Sequence, residues 1–292
     1  MSVQEKMIPI LQASEAIQNE NNVAVLGPSG TGKTVFITLL SHAIDNHFLD
    51  EHPELRAHPK DGRPFLESCE NSLRDGEFPE RTQQLSRDKI IFEMRGTGAT
   101  ASSMEFKLPD ISGEDYKHMC LGEEIRGDER VVKVCEMGRA KGAPYGEMIY
   151  AVYAKMYVFL LDCSKMKTDW EKDQTQYSQA LTTIQDFKKT TSLSKNGRIN
   201  TPIAIVLTKA DSLEDREISA KELVRTHMRR FYNTLEDIHD GKREYFMVHV
   251  DVQRNRENEV DSAEGLKVAK PLSHSHPEYT KFLWWLHENL LE

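Results

Sequence analysis

The residues best suited to chemistry in this chain stand together near its start, as Gly27-Pro28-Ser29-Gly30-Thr31-Gly32-Lys33-Thr34. Glycines at that spacing let the backbone curl until successive N–H groups point inward at an anion. Lysine and threonine close the run. They offer an ammonium for the outer oxygens of a polyphosphate and a hydroxyl for a hard cation such as Mg2+. The pattern is Gly, four residues, then Gly-Lys-Ser/Thr, and its mechanism needs a strand before it and a helix after it. Both are there by pattern. Val23 to Leu26 is apolar without a break, as a buried strand is, and Val35, Phe36, Leu39, Leu40 and Ala43 recur at helical spacing. That helix would turn the positive end of its dipole toward the phosphates.

Two more acidic motifs follow at strand ends. Asp110-Ile111-Ser112-Gly113 comes after a segment, 103–108, that alternates apolar and polar residues. Thr208-Lys209-Ala210-Asp211 closes the apolar run 202–208. Alone, Asp-x-x-Gly is a weak signal. Asp211 also has a plain alternative use, as the N-cap of the helix that starts nearby.

The elements that must position these residues can be read from pattern. Residues 1–21 suggest a short leading helix, and the loop helix runs to about Ile44. The stretch from Asp45 to Arg87 holds four prolines, and only Pro64 to Leu73 looks helical. Lys89 to Met94 and Ser103 to Leu108 predict a hairpin turned at Gly96-Thr97-Gly98. Asp115 to Gly146 gives no firm pattern beyond an apolar piece at Val131 to Val134. Beyond it strands and helices alternate: strand 157–162, helix 170–189, strand 202–208, helix 215–239, strand 245–252 and closing helix 278–291. Tyr279, Phe282, Leu283, Leu286 and Leu290 share one face of the last helix. Such alternation implies an α/β fold with a mainly parallel sheet covered on both faces, the early hairpin adding one antiparallel strand. Ligands of such sheets bind at the carboxyl ends of the strands. The glycine loop, Asp110 and Asp211 all fall there.

The ordered trio of motifs resembles the Ras-like GTPase family, from about Val23 to the last helix. The resemblance implies a three-layer P-loop NTPase fold and one G domain over residues 1–292. Within it, 1–21 is an extension, 45–87 an insertion around the first switch, 114–147 an extended second switch region and 253–271 a surface loop. It implies bound GTP or GDP with Mg2+, GTP hydrolysis, and a switch role toward a protein effector or regulator. Gly27, Ser29, Gly30, Thr31, Gly32, Lys33, Thr34 and Val35 would cradle the phosphates. Thr34, Thr82 and Asp110 would hold the metal, Asp110 through water. The Gly113 amide would bond the terminal phosphate. Lys209 would lie along the base, beside Thr208. Asp211 would accept from the guanine N1–H and exocyclic amine, a donor pair adenine lacks. Val250 and Asp251 occupy the place of the last base-contacting motif, whose usual Ser-Ala residues are not visible.

Other departures bear on turnover. Glu114 stands where many members have a water-orienting glutamine. Ser29 replaces a glycine found in some members. Arg81, beside Thr82, is a candidate for an arginine finger supplied in cis; a solvated surface arginine is the plain alternative. A nucleotide-bound scaffold with little turnover, or an ATP-using P-loop NTPase, therefore stand as alternatives to the GTPase.

Composition narrows the classes. A net charge of −9 argues against a dedicated nucleic-acid binder. Cys69, Cys120, Cys135 and Cys163 form no Cys-x-x-Cys pair and read as free thiols of a cytoplasmic protein. No apolar run is long enough to span a bilayer, and neither the myristoylation nor the prenylation pattern fits. The histidines His52, His58, His274 and His276 read as solvated loop residues rather than ligands, and Trp284-Trp285 as half-exposed packing.

Overall fold

The computed structural model describes residues 2–8, 10, 22–48, 55–79, 90–96, 103–108, 116–117, 119–120, 125–140, 153–166, 170–191, 196–213, 218–250, 274 and 276–290. In chain order the strands are β1 (Val23–Leu26), β2 (Leu55–Asp61), β3 (Ile90–Gly96), β4 (Ser103–Leu108), β5 (Met156–Asp162), β6 (Ile203–Thr208) and β7 (Arg243–Met247). The helices are α1 (Lys33–Ala43), α2 (Arg63–Arg74), α3 (Gly127–Ala140), α4 (Trp170–Thr190), α5 (Ala220–His227), α6 (Arg229–Ile238) and α7 (His276–Leu290). Residues 3–8 are helical as well.

Strands β1, β5, β6 and β7 form a parallel sheet in that order. In β1, β5 and β6 every residue is buried, because helices cover both faces. Alternate residues serve opposite layers. Ala24, Tyr157, Phe159, Ile205 and Leu207 face the layer built by α3 to α6. Val25, Val158, Leu160, Val206 and Phe246 face Phe36 and Leu40 of α1, Leu66 of α2 and Tyr279, Phe282 and Leu286 of α7. The fold is therefore the expected α/β sandwich of three layers. Trp284 and Trp285 are both partly buried against the second core, as half-exposed packing requires.

A second group of strands pairs in the order β2-β3-β4, with β3 running against both neighbours. The hairpin β3–β4 is the expected one, but it pairs with β2, and among the described residues it does not add the antiparallel strand expected on the parallel sheet. Strand β2 is itself unexpected: it lies in the insertion, carries Pro59, and its register shifts between Pro59 and Asp61. Proline and an irregular register belong at a sheet edge. Helix α2 then returns onto α1. Glu70 Oε1 lies 3.0 Å from His42 Nδ1 and 2.6 Å from an Arg74 nitrogen. These hydrogen bonds, that of His42 first, hold the Glu70 carboxyl down at about 2. The insertion is thus fastened to the helix that follows the glycine loop.

Three further readings change. The unassigned stretch contains α3, whose Arg130 is fully buried, donates to the Ile125 carbonyl and pairs with Asp186 of α4 at 3.3 Å. The single helix expected over 215–239 is two, α5 and α6, divided at Met228, which leaves helical dihedrals with its side chain fully buried. His274, read as a solvated loop residue, packs against the His42 and Tyr279 rings, at 5.1 and 5.9 Å between centroids. Among the described residues no helix is long and apolar enough to cross a membrane. Cys69, Cys135 and Cys163 are buried free thiols, and Cys120 is partly buried.

At the end of the sheet away from the glycine loop, His239 gives a prediction about stability. Its Nε2 lies 2.8 Å from the Thr201 carbonyl, and its buried Nδ1 finds no hydrogen-bond partner among the described residues. Burial lowers its pKa from 6.5 to about 4. The unfolded chain then binds the extra proton first, so stability is fully present above pH 6.5 and is lost as pH falls toward 4. That group alone should cost about 2.5 kcal/mol between pH 7 and pH 4.5. Urea unfolding of wild type and His239→Gln at both pH values measures it. Glutamine keeps a donor for Thr201 but does not titrate, so its loss over the interval should be smaller by that amount. Equal losses would contradict the assignment.

Candidate functional site

Loops from the carboxyl ends of β1, β5, β6 and β7 converge on one cavity of about 400 Å³. That size lies within the range of roughly 300–1,000 Å³ usual for small-ligand sites. Part of its wall is the glycine loop. Gly30 and Gly32 take left-handed φ values of 83° and 86°, which a side chain would make costly. Gly32 precedes α1, and no side chain caps the helix nor does any acid stand in its first turn. The positive end of the helix dipole therefore points at the loop with no acid in the first turn to offset it. Gly27 is small for another reason. A Cβ there would sit 2.8 Å from Thr31 Oγ1 and 2.9 Å from the Leu160 carbonyl. Gly27→Ala must push the loop off β5, and should cost about 1–3 kcal/mol of stability. Thermal unfolding checks this; an unchanged melting temperature would refute the crowding.

The polar side chains of the loop are pinned by the loop itself. Thr31 is fully buried and its hydroxyl donates to the Pro28 carbonyl at 2.9 Å. Lys33 folds over the loop, its Nζ donating to the Gly27 carbonyl at 2.7 Å and to Pro28 at 3.0 Å. Ser29 stands exposed on the rim, and Thr34 lines the cavity half-buried.

Another part of the wall comes from the ends of β6 and β7. The Thr208 hydroxyl donates to the Thr31 carbonyl at 2.8 Å, so the β6 end is bonded directly to the glycine loop. Lys209 holds a left-handed backbone, φ 55° and ψ 40°, which swings the chain into the short turn Ala210–Ser212. Its Nζ donates to the Gly30 carbonyl at 3.1 Å and lies 2.6 Å from Asp162 Oδ2. Asp211 is exposed in that turn and faces the cavity, and its carboxylate makes no hydrogen bond or ion pair among the described residues. It does not cap the next helix. Ser219 does that, accepting from the Glu222 N–H at 3.3 Å. The Ala210 N–H donates to the Val248 carbonyl at 3.2 Å, which places His249 and Val250 beside Asp211 in the cavity wall.

The structure thus brings together Gly30, Gly32, Lys33, Thr34, Val35, Ser29, Thr208, Lys209, Asp211 and Val250 around one cavity, with Gly27 and Thr31 shaping the loop from behind. Arg81, Thr82, Asp110, Gly113, Glu114 and Asp251 lie outside the described residues. Sequence reasoning missed Asp162, the last residue of β5, Ser164 just after it, and Phe78 and Pro79, which follow α2 and reach the cavity. An acid at the very end of the apolar run Met156 to Leu161 was the available signal for Asp162. Nothing in pattern marked Phe78.

For Mg2+ the described part of the site offers the Thr34 hydroxyl, which lines the cavity beside the glycine loop. All-oxygen ligation with few protein donors suits that ion, which is commonly held through substrate phosphates and water.

A family profile described as Double-GTPase 1 matches residues 24–134, from inside β1 through the glycine loop to α3. No curated protein matches the chain in sequence. Among solved structures, the signal recognition particle receptor SRb-GTP/SRX complex from Chaetomium thermophilum is similar at 16% identity and TM-score 0.36, over 79% of this chain and 91% of that one. Over the stretch that the profile matches, which holds the glycine loop and α1, the chain is similar to GTPases.

Proposed function

We propose that this protein binds GTP and GDP with Mg2+, hydrolyses GTP, and uses the reaction as a switch toward a protein partner. One observation carries the reading: the glycine loop and the exposed carboxylate of Asp211 line a single cavity. The loop suits phosphates. The carboxylate suits a ring edge with two adjacent N–H donors, as guanine has and adenine has not.

In this reading the N–H groups at the start of α1 bind the phosphates, and Lys33 leaves the Gly27 and Pro28 carbonyls for the outer phosphate oxygens. Thr34, with Thr82 and Asp110, holds the metal, which supplies neutralisation of charge on the phosphate oxygens. The Gly113 amide bonds the terminal phosphate. Water attacks the terminal phosphorus, and the bond from that phosphorus to the bridging oxygen breaks, giving GDP and inorganic phosphate. Glu114 takes the place in sequence of the water-orienting glutamine, and Arg81 would stabilise charge on the transferred phosphoryl. Val250 and Asp251 close the base end.

Single-turnover release of labelled phosphate from GTP and Mg2+ tests the hydrolytic part. The proposal expects release faster than from GTP in buffer, and slower with Arg81→Ala. Release no faster than in buffer, with tight binding retained, would instead support a nucleotide-bound scaffold. Preference for ADP over GDP would support an ATP-using protein.

A further inference from the structure

Lys209 is held from two sides. Its ammonium reaches the Gly30 carbonyl of the glycine loop and the Asp162 carboxylate at the end of β5. Asp162 is 1% exposed, so its charge is removed from water and needs partners. It has them before the lysine arrives. Oδ1 accepts from the Ser164 N–H at 3.0 Å and from the Ser164 hydroxyl at 2.6 Å. Its backbone carbonyl accepts from the Trp170 indole at 2.7 Å, fixing the strand end itself. Oδ2 is thereby aimed at Lys209. Ser164 and Lys209 line the cavity while Asp162 stays behind them.

We infer that Asp162 is a positioning residue for base recognition. It holds the Lys209 ammonium against Gly30, so that the lysine's methylene stem lies along the face of the purine. The same ammonium ties the base end of the cavity to the phosphate loop. Asp162 itself does not touch the nucleotide. The inference deepens the guanine-nucleotide reading and rests on it.

A double-mutant cycle in the full chain tests this, with Asp162→Asn, Lys209→Met and the pair together. Affinity for GDP with Mg2+ is measured by calorimetry, and folding by melting temperature. Asp162→Asn keeps the shape and an acceptor for Ser164. It should weaken GDP binding roughly tenfold or more, while in the Lys209→Met background it should change affinity by less than about twofold. The same loss in both backgrounds would overturn the inference. So would a lowered melting temperature with unchanged affinity, the mark of a merely structural carboxylate. If Asp162→Asn does not fold, Asp162→Glu keeps the charge and displaces it by one methylene; unchanged GDP affinity there would equally overturn it. A wild-type chain that binds no GDP removes the inference together with the reading beneath it.

Discussion

Lys33→Met will bind GDP at least about a hundredfold more weakly than wild type, with GTP losing at least as much. The ammonium is folded over the glycine loop, 2.7 Å from the Gly27 carbonyl and 3.0 Å from that of Pro28. A charge-assisted hydrogen bond is worth about 1.5–3 kcal/mol, and a phosphate chain offers several acceptors to a lysine at this point. Losing about 3 kcal/mol is a factor of roughly 150 in affinity. Methionine keeps most of the apolar stem, so packing is largely spared. The Gly27 and Pro28 carbonyls lose their donor, at about 1–3 kcal/mol of stability if water does not replace it. Circular dichroism should still show a folded chain at 25 °C. Because the lysine sits at the phosphate end, the ratio of GDP to ADP affinity should barely move. A variant with wild-type GDP affinity would place the phosphates elsewhere.

The second large effect concerns which base is bound. Asp211→Asn should lower GDP affinity roughly a hundredfold and raise affinity for xanthosine diphosphate by a comparable factor. A carboxylate has acceptors only, matching the guanine N1–H and exocyclic amine. An amide offers one acceptor and donors, matching xanthine, whose exocyclic position is a carbonyl. Two hydrogen bonds to a charged group at about 1.5 kcal/mol each give the estimated loss of about 3 kcal/mol. Asp211 is exposed and makes no other polar contact among the described residues, so stability should change by less than about 0.5 kcal/mol. Competition titrations with the three diphosphates give the result directly. An unchanged base preference would remove Asp211 from recognition and restore an ordinary loop acid.

The parts of this molecule legible in its sequence are those where one physical demand dominates. Parallel strands covered on both faces must be apolar throughout, so β1, β5 and β6 announce themselves as runs. The glycine loop is legible because left-handed turns and a close backbone approach at Gly27 admit almost nothing else. The acid at 211 is legible because a strand end precedes it. What was not legible depends on tertiary partners. Strand β2 has few apolar residues and a proline; it exists by pairing with β3. Helix α3 buries an arginine that satisfies itself on Ile125 and Asp186, and in sequence that residue looks like surface charge. The break at Met228 leaves no glycine or proline as a mark. Asp162 reads as the last residue of a strand, and its purpose emerges only when Lys209 crosses from the next one.

One titration bears most directly on the whole account: calorimetry of the full chain with GDP and with ADP, each with Mg2+. The account predicts one molecule of GDP bound per chain, at least about a hundredfold more tightly than ADP, with the binding lost in Lys33→Met. Equal affinities, or GDP binding that survives the loss of Lys33, would contradict it.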